Sequence, residues 1–334
     1  MTLNFPTAFI LILGGLILPF FPGSLRKLFL IFIPVVAFVH LLLLPIGIHG
    51  ELQFVGYTLS SVRVDKLSQI FGYVFLIAAF LNAIYALHSD DVLQQAATFV
   101  YAGSAIGAVF AGDLITLFIF WELTAISSVI LIWARRTDRA YKSGMRYLIT
   151  HILSGMLLLI GAIFYAKSQG SIEFTSMSLD QPGVILIFIA FGVKSAFPLL
   201  HNWLHDAYPE STEIGTVALS VFSTKLGIYA LARGFAGTEI LILIGAVMAT
   251  FPIFYAVIEN DLRRVLTYSL NNQLGFMVVG IGIGTELALN GTAAHAFSHI
   301  LYKALLFMSV GAVLLRTGTS RASELGGLYR TMPL

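Results

Sequence analysis

The sequence predicts an all-α fold, a polytopic bundle of transmembrane helices. Three observations carry that prediction. Of 334 residues, 58% are hydrophobic and 11% are charged, against about 25% charged residues in a soluble domain. Apolar runs recur eleven times, each long enough to cross a hydrocarbon core of about 30 Å, which takes roughly 20 helical residues. None of the runs alternates as the ~10-residue strands of a membrane barrel do. This composition excludes a soluble enzyme, a disordered tail and a nucleic-acid binder. The absence of cysteine excludes a disulfide framework, a zinc ribbon and a thiolate nucleophile.

In chain order the predicted spans are Phe5–Phe21, Leu28–Ile48, Leu67–Leu87, Val92–Ala111, Leu114–Ala134, Tyr147–Ala166, Val184–Leu204, Ile214–Ala232, Ile240–Ile258, Val265–Ile283 and Leu289–Leu315. The first has neither the basic flank nor the small-residue cleavage site of a signal peptide, so it is expected to persist in the mature protein. Connections are short, leaving no room for a soluble domain. The longest is Gly50–Lys66, where alternating Phe54, Tyr57, Leu59 and Val62 predict a small surface hairpin.

Orientation follows from the loop Lys and Arg residues. With the N-terminus outside, the cytoplasmic side receives Arg26, Lys27, Arg135, Arg136, Arg139, Lys142, Arg146, Arg263, Arg264, Arg316, Arg321 and Arg330, twelve in all. The outside receives four: Arg63, Lys66, Lys167 and Arg233. Eleven crossings then leave the C-terminus as given in the cytoplasm. The expected location is the plasma (inner) membrane, multi-pass, with the lipid bilayer as one partner.

The remaining three lysines, Lys194, Lys225 and Lys303, lie near the centres of predicted spans, and Glu122 is the one acidic residue well inside a span. Each costs about 2.5–3.5 kcal/mol at mid-membrane depth on insertion scales. Snorkelling relieves that cost only near helix ends, so these four point to an ion or proton path more strongly than to structural pairing. On the seventh span Lys194, Pro198, His201 and His205 fall at i, i+4, i+7 and i+11, one face of a helix. Pro198 has no N–H to give the Lys194 carbonyl, so a kink or an unwound turn is expected there. Irregular backbone at membrane depth survives only where buried in protein or lining a wet cavity, and a broken helix carrying a buried charge is a transporter pattern.

On the eleventh span His295, His299 and Lys303 repeat at i, i+4 and i+8. Histidine passes protons near neutral pH through either ring nitrogen, so a proton relay is the preferred reading. A metal pair is disfavoured because neither the glutamate of a His-Glu-x-x-His motif nor a third ligand is near; a plain hydrogen-bonded pair with Ser298 or Tyr302 stays open. No cofactor is predicted. Thr216, Ser220 and Ser223 near Lys225, and Tyr268, Ser269, Asn271, Asn272 and Gln273 on the tenth span, serve either as interhelical glue or as lining of a path. The sequence does not separate the two.

These residues carry a resemblance. Phe120-Trp-Glu-Leu123, the run from Gly192 through Lys194 and Pro198 to His201, Trp203 and Asp206, then Lys225 with Tyr229 and Arg233, resemble the antiporter-like family shared by Mrp sodium/proton antiporters, respiratory complex I and membrane-bound hydrogenases. Asp261-Leu-Arg-Arg264 with Tyr268-Ser269, and His295 through His299 to Lys303, continue it in the family's order. Ala207-Tyr-Pro-Glu-Ser211 and Phe222-Ser-Thr-Lys-Leu226 look most like the D-subunit branch of the Mrp antiporters. His205 departs from the pattern, standing where many relatives have proline.

The resemblance implies two inverted five-helix repeats, each with half a proton channel. Glu122 corresponds to the channel glutamate, Lys194 to the proton-carrying lysine of the broken helix, Lys225 to the connecting lysine, and His295, His299 and Lys303 to the relay of the second repeat. The implied division is 1–90 for the first three spans, 91–235 for the first repeat and 236–334 for the start of the second. One echo fits inversion: Asp113-Leu114 opens the fifth span from outside, and Asp261-Leu262 opens the tenth from inside. Relatives continue beyond Gly326–Leu334 into a further broken helix, so the expectation is a piece of a longer reading frame.

The implied function is that of a cation/proton antiporter component in a hetero-oligomeric complex, moving protons in exchange for Na+ or another monovalent cation. Alternatives are a proton-pumping subunit of a complex I-like or hydrogenase assembly, or a non-conducting structural or assembly component. An intramembrane enzyme is disfavoured, because no nucleophile–base pair or metal set is present.

Overall fold

The computed structural model describes residues 5–54 and 56–332, with the backbone alone at Phe54. Among the described residues the chain is helical except for one hairpin and the connections. Its helices are α1 (Thr7–Ile17), α2 (Gly23–Leu43), α3 (Lys66–Tyr85), α4 (Val92–Phe110), α5 (Leu114–Trp133), α6 (Asp138–Gln169), α7 (Val184–Lys194), α8 (Asn202–Ala207), α9 (Glu213–Val221), α10 (Ser223–Gly234), α11 (Ile240–Ile258), α12 (Leu262–Ile283), α13 (Glu286–Thr317) and α14 (Leu328–Thr331). Among the described residues, eight helical stretches are long and apolar enough to cross a membrane, α9 and α10 counting as one; α1 and α7 are shorter apolar helices. With these two and the 22-residue α12, eleven crossing elements result, in agreement with the sequence.

The hairpin forms where alternation predicts it. Strands β1 (Gly47–Phe54) and β2 (Tyr57–Val64) pair antiparallel, Gly47 opposite Val64 and Phe54 opposite Tyr57. Val62 and Val64 face inward. The amide of Ser60 donates to the Asp113 carboxylate at 2.8 Å, tying the hairpin to the start of α5.

The seventh span is broken, as Pro198 predicts. α7 ends at Lys194, and Ala196 and Leu199 flank Phe197 and Pro198 with φ of 59° and 69°. Left-handed backbone at non-glycine residues costs on the order of 1–3 kcal/mol each, so the surrounding packing holds the break open. The freed carbonyls find other donors: Phe197 N–H for Gly192, and both Ala196 N–H and the Trp203 indole for Val193. The break also corrects the single-face reading. His201 precedes α8 and His205 lies on it, so neither continues the helical face of Lys194.

An internal repeat is legible residue by residue. Asp113 caps α5 through the amides of Ile115 and Thr116, and Asp261, 148 positions later, caps α12 through those of Arg263 and Arg264. At the same offset Thr137 and Thr285 cap α6 and α13, both 32 residues long, and Gly170 and Gly318 end them in left-handed conformation. The backbone at Asp113 pairs antiparallel with that at Glu173, and the backbone at Asp261 with that at Arg321. The two capping aspartates lie at opposite ends of the bundle. Asp113 is beside the hairpin, whereas Asp261 lies by Arg135 and Glu210. The two units are therefore inverted.

Charged residues form two end layers. One holds Arg26–Asp90, Arg136–Asp91, Arg139–Glu210 and Arg146–Asp206 pairs, and the other holds Arg63, Asp65 and Arg233. Arg263, assigned by the sequence to a loop, is instead 2% exposed. Its guanidinium donates to the carbonyls of Tyr208, Ser211 and Thr212 and to the Thr216 hydroxyl, so it ties α12 to the start of α9.

Candidate functional site

The three lysines the sequence places mid-span are buried in the structure: Lys194 and Lys225 at 0% exposure and Lys303 at 1%. None has a carboxylate within 4.0 Å among the described residues. Each is held by neutral oxygens, which is unusual for a buried ammonium.

Lys194 sits at the end of α7, facing α5. Its Nζ donates to Thr124 Oγ1 at 2.6 Å and to the Trp121 carbonyl at 3.2 Å, and lies 4.2 Å from the centroid of the Trp121 ring. Trp121 is fixed in turn: its indole N–H donates to Ser154 Oγ at 3.1 Å, and that hydroxyl donates to the Ala190 carbonyl at 2.8 Å. Glu122 is half-buried on α5, with Oε1 lacking a hydrogen-bond partner among the described residues. Its carboxylate lies against Gly155 of α6, in the place a side chain at 155 would take. Glu122 and Lys194 feel each other's charge without touching.

Lys225 lies in the first turn of α10, beyond an interruption the sequence does not announce. Between α9 and α10, side chains take over the backbone ladder. Tyr208 OH donates to the Leu219 carbonyl at 2.6 Å, the Ser223 amide donates to Tyr101 OH at 2.9 Å, and Lys225 Nζ donates to the Ser220 carbonyl at 2.6 Å. Groups inserted into the i→i−4 ladder in this way are an identifiable cause of helix kinks. Tyr101 OH also donates to Ser223 Oγ at 2.7 Å; Tyr147 OH lies 3.4 Å from that same oxygen and 2.8 Å from Ser128 Oγ. A hydroxyl cluster therefore links α4, α5, α6 and α10.

Beyond Lys225 the structure brings together the second group of predicted residues. Lys303 Nζ donates to Ser269 Oγ at 2.9 Å. His295 and His299 stack near-parallel with centroids 6.0 Å apart. Neither ring nitrogen of His299 has a partner among the described residues. Lys225 acts electrostatically on His295 and His299, and Lys303 acts on Lys225 and His299.

Other predicted residues lie elsewhere. His201 packs on Phe251 at 4.7 Å, and His205 stacks on Tyr268 at 4.1 Å with Nδ1 3.2 Å from Thr267 Oγ1. Asp206 pairs with Arg146 at 2.6 Å in an end layer. Tyr229 donates to the Val109 carbonyl and accepts from Arg233 at 2.7 Å. Asn272 donates to the Ala249 carbonyl, joining α12 to α11. These six hold the helices around the lysines, and among the described residues none of their side chains hydrogen-bonds to a lysine ammonium.

Sequence reasoning missed Trp121 and Thr124 as the seat of Lys194, the tyrosines Tyr101, Tyr147 and Tyr208, and His151. Sorting Lys, Arg, Asp and Glu by depth passes over a histidine near the start of the sixth predicted span. His151 is fully buried, and neither ring nitrogen has a partner among the described residues.

Residues 111–334 match the family described as the transmembrane NADH:quinone oxidoreductase/Mrp antiporter family. The chain is similar to the D subunit of the Na(+)/H(+) antiporter of Alkalihalophilus pseudofirmus, 31% identical over 287 residues, which cover 80% of this chain and 58% of the relative. It is similar to the A/B subunit of a probable K(+)/H(+) antiporter of Rhizobium meliloti, 30% identical, covering 82% of this chain and 30% of the relative. In both cases it spans less than two thirds of the curated relative's length. Its fold matches a chain in the Mrp complex of Dietzia sp. DQ12-45-1b with a TM-score of 0.88 at 26% identity, covering 100% of this chain and 40% of that one. This is a multi-pass membrane protein, and the chain belongs to the NADH:quinone oxidoreductase/Mrp antiporter transmembrane family.

Proposed function

We propose that this chain is a membrane subunit of a multisubunit cation/proton antiporter, in which protons move through Glu122, Lys194, Lys225, His299, His295 and Lys303 in exchange for Na+. The observation that carries the reading is the row of three buried lysines, each held by hydroxyl or carbonyl oxygens and none paired with a carboxylate among the described residues. An ion pair meant only for stability would keep its counter-charge in contact. A lysine held by neutral groups changes protonation as nearby charge approaches or recedes. Glu122, close to Lys194 without contact, is the group whose movement would hold or release the Lys194 proton.

The broken α7–α8 segment supplies the mobile element, since irregular backbone repacks at lower cost than a continuous helix. The division at 1–90, 91–235 and 236–334 follows the inverted repeat. The hairpin end faces outward with the N-terminus, and the Arg-rich end faces the cytoplasm, in keeping with the excess of positive charge there. Partners in a hetero-oligomeric complex are inferred from the relatives, one named as part of a Na(+)/H(+) antiporter and one as part of an Mrp complex. A second reading, a proton-pumping subunit of a complex I-like assembly, is favoured by the family's inclusion of NADH:quinone oxidoreductase chains.

The test uses Lys225→Ala in the full-length protein assembled with its partner subunits. Everted vesicles are given a proton gradient, and its collapse is followed on addition of Na+, K+ or Li+. Antiport reads as collapse by one or more of these cations, lost in the variant. Collapse that is absent with every cation in the native complex contradicts the antiporter reading, and collapse unchanged in the variant contradicts the path.

A further inference from the structure

We infer that His151 is a proton-carrying residue of the first repeat, the counterpart of His299, linking Lys194 to the hydroxyl cluster that leads to Lys225. The inference rests on the proton-path reading above and extends it by one residue.

The internal repeat makes the first case. The offset that superposes Asp113 on Asp261, Thr137 on Thr285 and Gly170 on Gly318 carries His151 onto His299. It also carries Gly155 onto Lys303. In the second repeat Lys303 donates to Ser269. In the first, the missing side chain at 155 leaves the space taken by the Glu122 carboxylate. The two units thus keep a histidine at one position and exchange a lysine for an incoming carboxylate one turn away.

Packing makes the second case. The imidazole packs against two aromatic rings, Tyr147 at 4.2 Å and Trp203 at 4.5 Å, which themselves meet edge-on at 5.6 Å, centroid to centroid. The Trp203 indole is pinned to the carbonyl of Val193, the residue before Lys194. The ring therefore sits where α6 meets the end of α7, and Lys194 acts on it electrostatically. The hydroxyl of the adjoining Tyr147 joins Ser128 and Ser223, and Ser223 joins Tyr101.

Energetics makes the third. A buried polar atom without a partner is destabilising, and among the described residues His151 has two. A phenylalanine or leucine would fill the same aromatic slot without that cost. An imidazole is justified there by what only it does, which is to accept a proton at one nitrogen and release one from the other. In the step proposed, an N–H bond of the Lys194 ammonium breaks as one forms on the ring. The opposite ring nitrogen then gives up its own proton toward the hydroxyl cluster, leaving the ring neutral and the charge moved towards α10.

The test compares His151→Phe and His151→Gln with Lys194→Ala in the full-length complex, measuring assembled complex, maximal antiport rate and the cation KM. Both His151 variants are expected to assemble, to keep the cation KM and to lower the maximal rate by at least about a hundredfold, the low side of what a positioned proton carrier contributes. Gln keeps hydrogen bonding and polarity but cannot carry a proton, so it separates relay from packing. If His151→Gln transports at the native rate while Lys194→Ala does not, the inference is wrong and the path stands. If both transport at the native rate, the path reading fails with it. If both His151 variants fail to assemble, His151 is a packing residue and the inference is likewise overturned.

Discussion

Lys194 donates its ammonium to Thr124 at 2.6 Å and makes no ion pair with Glu122, which stands two residues before that threonine on the same helix. The lysine is thus seated on α5 by a hydroxyl and a carbonyl, with the carboxylate near enough to act through space. This arrangement separates holding the lysine from controlling its charge, and it yields a first prediction. Thr124→Val removes the hydroxyl at nearly constant volume. Loss of one hydrogen bond to a charged group costs about 1.5–3 kcal/mol, so the antiport rate should fall by roughly 10- to 100-fold while the complex still assembles. A native rate would show that Thr124 does not seat the working lysine.

Gly155 sets a second. A methyl group there meets the Glu122 carboxylate, and overpacking in a tight helix interface costs about 1–3 kcal/mol. Gly155→Ala is expected to displace the carboxylate and slow transport, and Gly155→Leu to abolish it. Thermal stability in detergent, measured beside transport, separates displacement from unfolding. Unchanged transport in both variants would place the Glu122 carboxylate elsewhere.

The second repeat sets a third. His295→Ala and His299→Ala should each slow transport and change its dependence on pH, since His299 has no hydrogen-bond partner among the described residues whose loss would explain the effect structurally. Transport with the native pH profile in both would remove these residues from the path and leave the first repeat untouched.

Asp65 sets a fourth, on stability. It caps α3 through the Ser68 amide and pairs with Arg233 at 2.8 Å. Burial pushes its carboxyl up, but the Arg233 charge and the Ser68 N–H outweigh burial and hold it below its ordinary value. A lowered folded-state value means a stability contribution fully present above the unfolded pKa, about 3.9, and lost as pH falls through the folded value. Asp65→Asn should lower the melting temperature at pH 7 and lose this acid-range dependence. A melting temperature equal to native at pH 7 would show that the cap and pair contribute nothing.

Much of the fold and site is legible in the sequence. The spans follow from apolar runs of bilayer length, the break from Pro198 four residues after Lys194, and the three lysines from their depth. What is not legible has physical causes. A 3.6-residue period places His201 and His205 on the face of Lys194 only when it is carried through a break that destroys it. Arg263 reads as a loop cation because charge pattern does not reveal a ring of carbonyls waiting for it. The ladder interruption before Lys225 depends on Tyr101 and Tyr208, which meet α9 and α10 only in the folded chain. The 148-residue repeat is present in the sequence as pairs of capping residues, but two aspartates alone give only a hint of it. The structure supplies the threonines, glycines and bridges that fix the register.

The central claim is that the buried lysines carry protons, and Lys194 tests it most directly. The measurement is proton flux coupled to cation movement, in proteoliposomes holding the full-length complex, for the native protein, Glu122→Gln and Lys194→Ala. The account predicts normal assembly in all three, flux near background for Lys194→Ala, and a large loss for Glu122→Gln. Coupled flux at the native rate in Lys194→Ala would contradict it.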